Sequence, residues 1–238
     1  MQWTAVIPIK PLARAKSRLR GAVPDTVHED LVLAMAIDTV RAAMASGRLV
    51  GVLVVTDDPR VRDAVTAIGA SCLPDRPARG LNAALAYGAA TLAGPVAALT
   101  ADLPALRPGE LAAALHRALD ATARDGTALT FVADTAGTGT VLLTAAAGTA
   151  LLPRFGPGSA AAHRACGARE LTGEWPTLRR DVDTPDDLAA ARALGVGATT
   201  RALLDGRDDP GPALGGAVQG GEHATVPGCR GPSPRSTR

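Results

Sequence analysis

Four cations crowd a short stretch near the amino end of the chain. In Trp3–Leu19 (WTAVIPIKPLARAKSRL) an apolar run breaks at Pro8, and Lys10, Arg14, Lys16 and Arg18 follow. Lys10 and Lys16 are the only lysines, although Lys and Arg together number 25. An ammonium is a compact, mobile point charge where a guanidinium is a planar fork, and phosphate-binding loops commonly use the ammonium. Three carboxylates could answer these cations. Asp102 follows an apolar run and precedes Leu103–Pro104. Asp181 and Asp183 flank Val182, so on an extended segment both point the same way. Such a pair repels unless positive charge lies between, and Mg²⁺ needs only one or two carboxylates beside phosphate oxygens. The set suits a nucleoside triphosphate held by cations, with Mg²⁺ bridging phosphates to aspartate. Structural alternatives stand beside this reading: solvated surface cations, Asp102 as a turn residue, Asp183 favouring the next helix start, and Asp181 paired with Arg179.

A second anion-binding candidate is the loop Arg154–Ser159 (RFGPGS), which opens a helix. Its backbone N–H groups and the Ser159 hydroxyl could cradle an anion, or Ser159 could simply cap the helix. His163, one turn inside, and Cys166 read as packing. The first loop lacks GxGxxG, which counts against a dinucleotide fold, and lacks GxxxxGK[ST], which counts against a Walker NTPase.

The elements that must position these residues alternate. Strands are expected at Trp3–Ile9, Leu49–Thr56, Ala70–Leu73, Pro95–Thr100, Thr127–Ala133, Thr140–Thr144 and Arg169–Leu171. Helices are expected at His28–Ser46, Pro59–Ile68, Gly80–Leu92, Pro108–Ala121, Ala160–Cys166 and Thr184–Leu194. The last has a strong start, with Thr184 as N-cap, Pro185 in the first position and Asp187 three residues on. Leu49–Thr56 (LVGVLVVT) is apolar on both faces, as the centre of a parallel sheet requires. Alternation of this kind predicts a doubly wound α/β sheet with right-handed crossovers. Ligands then bind beyond the carboxyl ends of the strands, where the basic loop, Asp57 and Asp102 fall.

Length and composition fit one domain over 1–204. From Asp205 on, Gly and Pro supply 13 of the 34 residues and periodicity stops, so 205–238 reads as a disordered tail. Aromatics are 2% of the chain and the net charge is +2, which argues against base-stacking nucleic-acid modules and against membrane surfaces. Cys72, Cys166 and Cys229 are scattered and signal neither zinc nor a disulfide framework. No apolar run approaches the roughly 18–20 residues that span a bilayer, and no secretory signal is visible, so the cytoplasm is the expected location.

The motifs PIKPLARAKSRL, VVTDD (Val54–Asp58), GLNAAL (Gly80–Leu85), LTADLPAL (Leu99–Leu106), GTGT (Gly137–Thr140), RFGPGS and DVDTPDDL (Asp181–Leu188) occur in this order. Together they resemble the guanylyltransferases of coenzyme F-420 biosynthesis, which act on phosphoenolpyruvate or 2-phospho-L-lactate, over roughly residues 3 to 200. The resemblance implies a three-layer α/β/α, mostly parallel, nucleotide-diphospho-sugar transferase (GT-A-like) fold. By position it assigns Lys10, Arg14 and Lys16 to the triphosphate, with Lys10, Lys16 and Asp102 catalytic. Asp102, Asp181 and Asp183 would hold Mg²⁺; Thr140, Gly156 and Ser159 would grip the acid; Asp57, Gly80 and Asn82 would line the nucleoside. The glycine-rich LAGGxSxRM opening common in nucleotidyltransferases is replaced here by PIKPLARAKSRL, a departure typical of this smaller family. The Ala- and Arg-rich style looks like the actinobacterial branch, for which phosphoenolpyruvate is implied. The partners implied are GTP, the phosphorylated acid and a downstream transferase that takes the product; a homodimer is left open. Other nucleotidyltransferases (sugar phosphate, cytidylyl or molybdopterin type) and a non-catalytic nucleotide-binding module are the rival readings.

Overall fold

The computed structural model describes residues 2–19, 22–76 and 78–208. Seven strands form one sheet: β1 (Trp3–Pro8), β2 (Leu49–Val55), β3 (Ser71–Leu73), β4 (Val96–Leu99), β5 (Leu129–Ala133), β6 (Thr140–Ala145) and β7 (Arg169–Glu170). Their spatial order is β3-β2-β1-β4-β6-β5-β7. Pairs β1–β2, β1–β4, β2–β3 and β5–β7 are parallel, and only β6 runs against its neighbours. The expected mostly parallel α/β sheet is what the chain forms.

Among the described residues seven α-helices cover it: α1 (Asp25–Met44), α2 (Pro59–Ala67), α3 (Leu81–Ala90), α4 (Pro108–Asp125), α5 (Ser159–Ala165), α6 (Pro185–Leu194) and α7 (Ala198–Asp208). Alternate residues of β1 enter two separate cores. Trp3, Ala5 and Ile7 join Leu31, Val61, Leu111, Leu188 and Leu204, from α1, α2, α4, α6 and α7. Val6 joins Leu85 and Ala160, from α3 and α5. That two-sided burial makes three layers, and it explains why the central strands carry unbroken apolar runs. Helix α3 lies close on the sheet: a Cβ on Gly88 would come within 2.8 Å of both Val6 and Val55.

Some boundaries differ from the sequence reading, such as α4, which runs to Asp125 and so four residues past Ala121. Helix α1 begins at Asp25, three residues before His28. Helix α7 was not expected, and it runs four residues past the boundary set at 204. Its first turn is fixed from far away: Asp38 on α1 accepts from the backbone N–H of Thr199 (3.1 Å) and Thr200 (2.7 Å). No local pattern announces a cap supplied by another helix. The rest of the tail expected to be disordered, 209–238, lies outside the described residues. No helix among the described residues is long and apolar enough to cross a membrane.

Candidate active site

The carboxyl ends of β1, β2 and β4 open on one edge of the sheet, and the basic loop crosses it there. Two contacts hold the loop. Asp58 caps α2 through Oδ1, and its Oδ2 accepts the Leu12 N–H at 2.9 Å. His28 Nε2 donates to the Ala15 carbonyl at 3.0 Å, immediately before Lys16, which adopts φ +52°. A positive φ is unfavourable for a side-chain-bearing residue, so these anchors over-determine where Lys16 points.

Asp102 sits just beyond β4, and Thr39 of α1 grips the turn around it. The Thr39 hydroxyl accepts from Leu103 N–H (3.0 Å) and lies 3.2 Å from the Ala101 carbonyl. The distant acidic segment is pinned as firmly. Glu110 accepts from Thr177 and Leu178 N–H at 2.8 and 3.0 Å. The Val182 N–H donates to the Asp102 carbonyl at 3.1 Å, which lays Asp181–Asp183 beside the β4 end. Thr184 and Asp187 then form the expected capping box that starts α6.

These anchors bring Lys16 between two carboxylates. Its Nζ pairs with Asp102 and lies 2.6 Å from Asp183 Oδ1. Lys16 and Asp102 are only 15% and 19% exposed, so the pair is screened little by water. Burial alone would lower the ammonium pKa, but Asp102 and Asp183 outweigh it and hold Lys16 charged well above its usual range. Asp181 feels the opposite. Burial first, then Asp102, Asp183 and Asp134, push its carboxyl up to about 7, while Lys16 pulls it down. The alternative pairing of Asp181 with Arg179 does not form: that guanidinium donates to the Ala133 and Asp134 carbonyls at 3.1 and 2.9 Å.

A cleft of about 370 Å³ opens above this cluster, lined by Lys10, Arg14, Lys16, Arg18, Asp102 and Asp183 among others. Among the described residues Lys10 and Arg14 pair with no carboxylate. Exposed cations with no carboxylate partner among the described residues, beside a partly buried acid–ammonium cluster, could seat a multiply charged anion.

The Mg²⁺ expected from the sequence can be tested on the donors. Among the described residues no three or more His, Cys, Asp or Glu side chains gather as a ready-made cage. Mg²⁺ usually binds through one or two carboxylates plus substrate phosphates and water, so a full cage is not required. Asp102 Oδ1 is buried and has no hydrogen-bond partner, an expensive state that a hard cation would relieve. Asp102 and Asp183 already share one cation, the Lys16 ammonium. The donor set fits.

The residues expected to grip the acid fall in a second place, at the start of β6 and α5. The β4–β6 ladder extends to a bond from Thr100 N–H to the Val141 carbonyl (3.0 Å), so Thr140 lies beside the strand end that carries Asp102. Ser159 begins α5, and the Ala160 N–H reaches the Thr138 carbonyl at 3.1 Å. The Ser159 hydroxyl is buried and has no hydrogen-bond partner among the described residues. Gly156 takes φ +130° in the loop before it.

Asn82 was expected at the nucleoside. The structure commits both ends of its amide to the loop instead: Nδ2 donates to the Phe155 carbonyl (3.0 Å) and Oδ1 accepts the Phe155 N–H (2.8 Å). Gly80 precedes α3 with φ +93°. Asp57 accepts the Asp75 N–H at 3.0 Å. Of the expected site residues, Asp57, Gly80, Asn82, Thr140, Gly156, Ser159 and Asp181 do not line the charged cleft, whereas Lys10, Arg14, Lys16, Asp102 and Asp183 do.

Comparison with known proteins gives the family and the fold. Residues 3–204 match the family described as "Guanylyl transferase CofC like". A phosphoenolpyruvate guanylyltransferase of Salinispora arenicola is 58% identical over 210 residues, covering 87% of this chain and 95% of the relative. One of the same description from Geodermatophilus obscurus is 54% identical over 214 residues, covering 87% and 96%. A solved structure from Desulfovibrio desulfuricans, described as a supposed nucleotide-diphospho-sugar transferase, superposes with a TM-score of 0.63 at 17% identity. It covers 87% of this chain and 96% of that one, and speaks for the fold alone.

Proposed function

The chain belongs to the CofC-like guanylyl transferase family, and from that premise we propose that it transfers GMP from GTP to the phosphate of phosphoenolpyruvate. One observation carries the reading: Lys16 binds Asp102 and Asp183 in a cleft where Lys10 and Arg14 have no carboxylate partner among the described residues.

The parts suffice for the chemistry. A phosphate monoester is already largely ionised near pH 7, so the acceptor brings its own nucleophile and needs no His, Cys or Ser base. Its oxygen attacks the α-phosphorus of GTP. The new P–O bond forms as the bond to the bridging αβ oxygen breaks, and pyrophosphate leaves with that electron pair. The product is enolpyruvyl-2-diphospho-5'-guanosine.

In-line displacement of this kind asks the protein for alignment and charge neutralisation. Lys10 and Arg14 hold phosphate oxygens from the cleft wall. Lys16, kept charged by its two carboxylates, adds a buried positive charge. Asp102 and Asp183, with Asp181 next to them, would hold Mg²⁺, which when bound neutralises charge on the phosphates and the leaving group. Thr140, Ser159 and the Gly156 backbone face the acid. The mixed diphosphate is an activated donor, so a further transferase would consume it.

The test is a panel of GTP, CTP, UTP and ATP against phosphoenolpyruvate and 2-phospho-L-lactate, with pyrophosphate detection and mass analysis. GTP with phosphoenolpyruvate is expected to give the most product. Preference for another base or for the saturated acid would reassign the substrate, and saturable GTP binding without pyrophosphate from any pair would make the chain a binding module.

A further inference from the structure

His163 is fully buried and takes no part in the chemistry above. It lies one turn after Ser159 on α5, so the two side chains share a helix face. Its neighbours fix where its proton sits. Nε2 is 2.9 Å from the backbone N–H of Arg154; that group can only donate, so Nε2 carries a lone pair. A neutral ring with Nε2 bare holds its hydrogen on Nδ1. Nδ1 is 2.9 Å from Thr140 Oγ1, so Nδ1–H donates and the hydroxyl oxygen accepts.

The hydrogen of the Thr140 hydroxyl is then left over. Among the described residues no other hydrogen bond of that hydroxyl takes it. The Phe131 and Phe155 rings flank the imidazole, with centroids 5.8 and 5.3 Å away. Burial, and then the Arg154 guanidinium, hold the imidazole pKa down at about 4, which keeps the ring neutral. Ser159 Oγ is buried nearby with no partner of its own.

We infer that His163 is a positioning residue for the acid-binding corner: it fixes the Thr140 hydroxyl as a donor aimed at an anionic oxygen of the acceptor. A free hydroxyl presents either a hydrogen or lone pairs. One that already accepts from a buried Nδ1–H offers its hydrogen, and oxyanions can only accept. The inference rests on the function proposed above, since it takes the acceptor to be a phosphorylated acid.

Two measurements test it. The first needs no substrate: nitrogen-15 spectra of the wild-type imidazole side chains at pH 6 to 8. The Nδ1–H tautomer is expected for His163, and an Nε2–H tautomer or an imidazolium would overturn the inference. The second is kinetic. His163→Gln keeps an acceptor for Arg154 but loses the donor to Thr140; His163→Asn keeps a donor at the δ position. His163→Gln and Thr140→Val should each raise KM for phosphoenolpyruvate about tenfold, with KM for GTP and the saturated rate within about twofold of wild type. His163→Asn should recover much of that loss. The double variant Thr140→Val/His163→Gln should be no worse than Thr140→Val, because both changes remove one interaction. Equal loss in the Asn and Gln variants, or additive loss in the double variant, would overturn the inference. Wild-type protein that releases no pyrophosphate from GTP with phosphoenolpyruvate would instead sink the proposed function, while the tautomer would still decide whether His163 orients Thr140.

Discussion

Two regions of the proposed site differ in their physics. The cleft around Lys16 works with full charges: one ammonium between two carboxylates, with Lys10 and Arg14 beside it and, among the described residues, paired with no carboxylate. The corner around Thr140 works with neutral hydrogen bonds: a buried imidazole, two hydroxyls and a loop tied down by an amide. The difference matches what each must do. Phosphoryl transfer develops and moves charge, and preorganised charges in a partly dry site act most strongly there. Choosing an acid asks only that a fixed oxyanion find donors, which neutral groups supply without competing for the metal. The charged region should therefore set the rate, and the neutral region the affinity for the acceptor.

The largest break expected is Asp102→Asn. Losing the partly buried carboxylate that pairs with Lys16 should lower the saturated rate about a thousandfold, read as pyrophosphate release, with circular dichroism unchanged. Lys16→Met comes next. It leaves Asp102 and Asp183 facing each other without their shared cation and should cost about a hundredfold in rate, checked in the same assay at saturating GTP.

Asn82→Ala moves to the neutral region. It frees both backbone groups of Phe155, so KM for phosphoenolpyruvate should rise about fivefold and stability fall by about 1–2 kcal/mol, measured by kinetics and urea unfolding. The smallest effect is on pH dependence. His163 has a folded pKa of about 4, below the ordinary 6.5, so between these values the unfolded chain binds more protons. Its contribution to stability is therefore full above about pH 6.5 and lost as pH falls towards 4. Wild type should lose more melting temperature than His163→Gln on going from pH 7.5 to 5. Only the difference between the two proteins is read, because Asp181, raised to about 7, adds a slope common to both.

The sequence reveals the charged region better than the neutral one. Lys16, Asp102 and Asp183 stand out by residue type and by place at strand ends, and the structure joins them through one ammonium. The alternating apolar runs were enough to foresee the sheet, and Thr184-Pro185 enough to foresee the start of α6. What stayed hidden depends on partners far apart in the chain. Thr39 holds the Asp102 turn from 62 and 64 residues away, and Asn82 holds Phe155 from 73. Asp38 caps α7 across 161 residues. None of these pairings leaves a local pattern. Asp58 is half visible, since Asp-Pro announces a helix cap, but nothing local shows that its second oxygen also anchors Leu12. His163 looked like packing because a histidine on an apolar helix face usually is. Only its two hydrogen-bond partners distinguish it.

The division of labour is tested most directly by measuring the saturated rate and both KM values for Asp102→Asn and Thr140→Val side by side. The account predicts that Asp102→Asn loses about a thousandfold in rate, whereas Thr140→Val keeps the rate and loses about tenfold in KM for phosphoenolpyruvate alone. Similar losses of rate in both variants, or an Asp102→Asn enzyme that turns over at near wild-type speed, would contradict it.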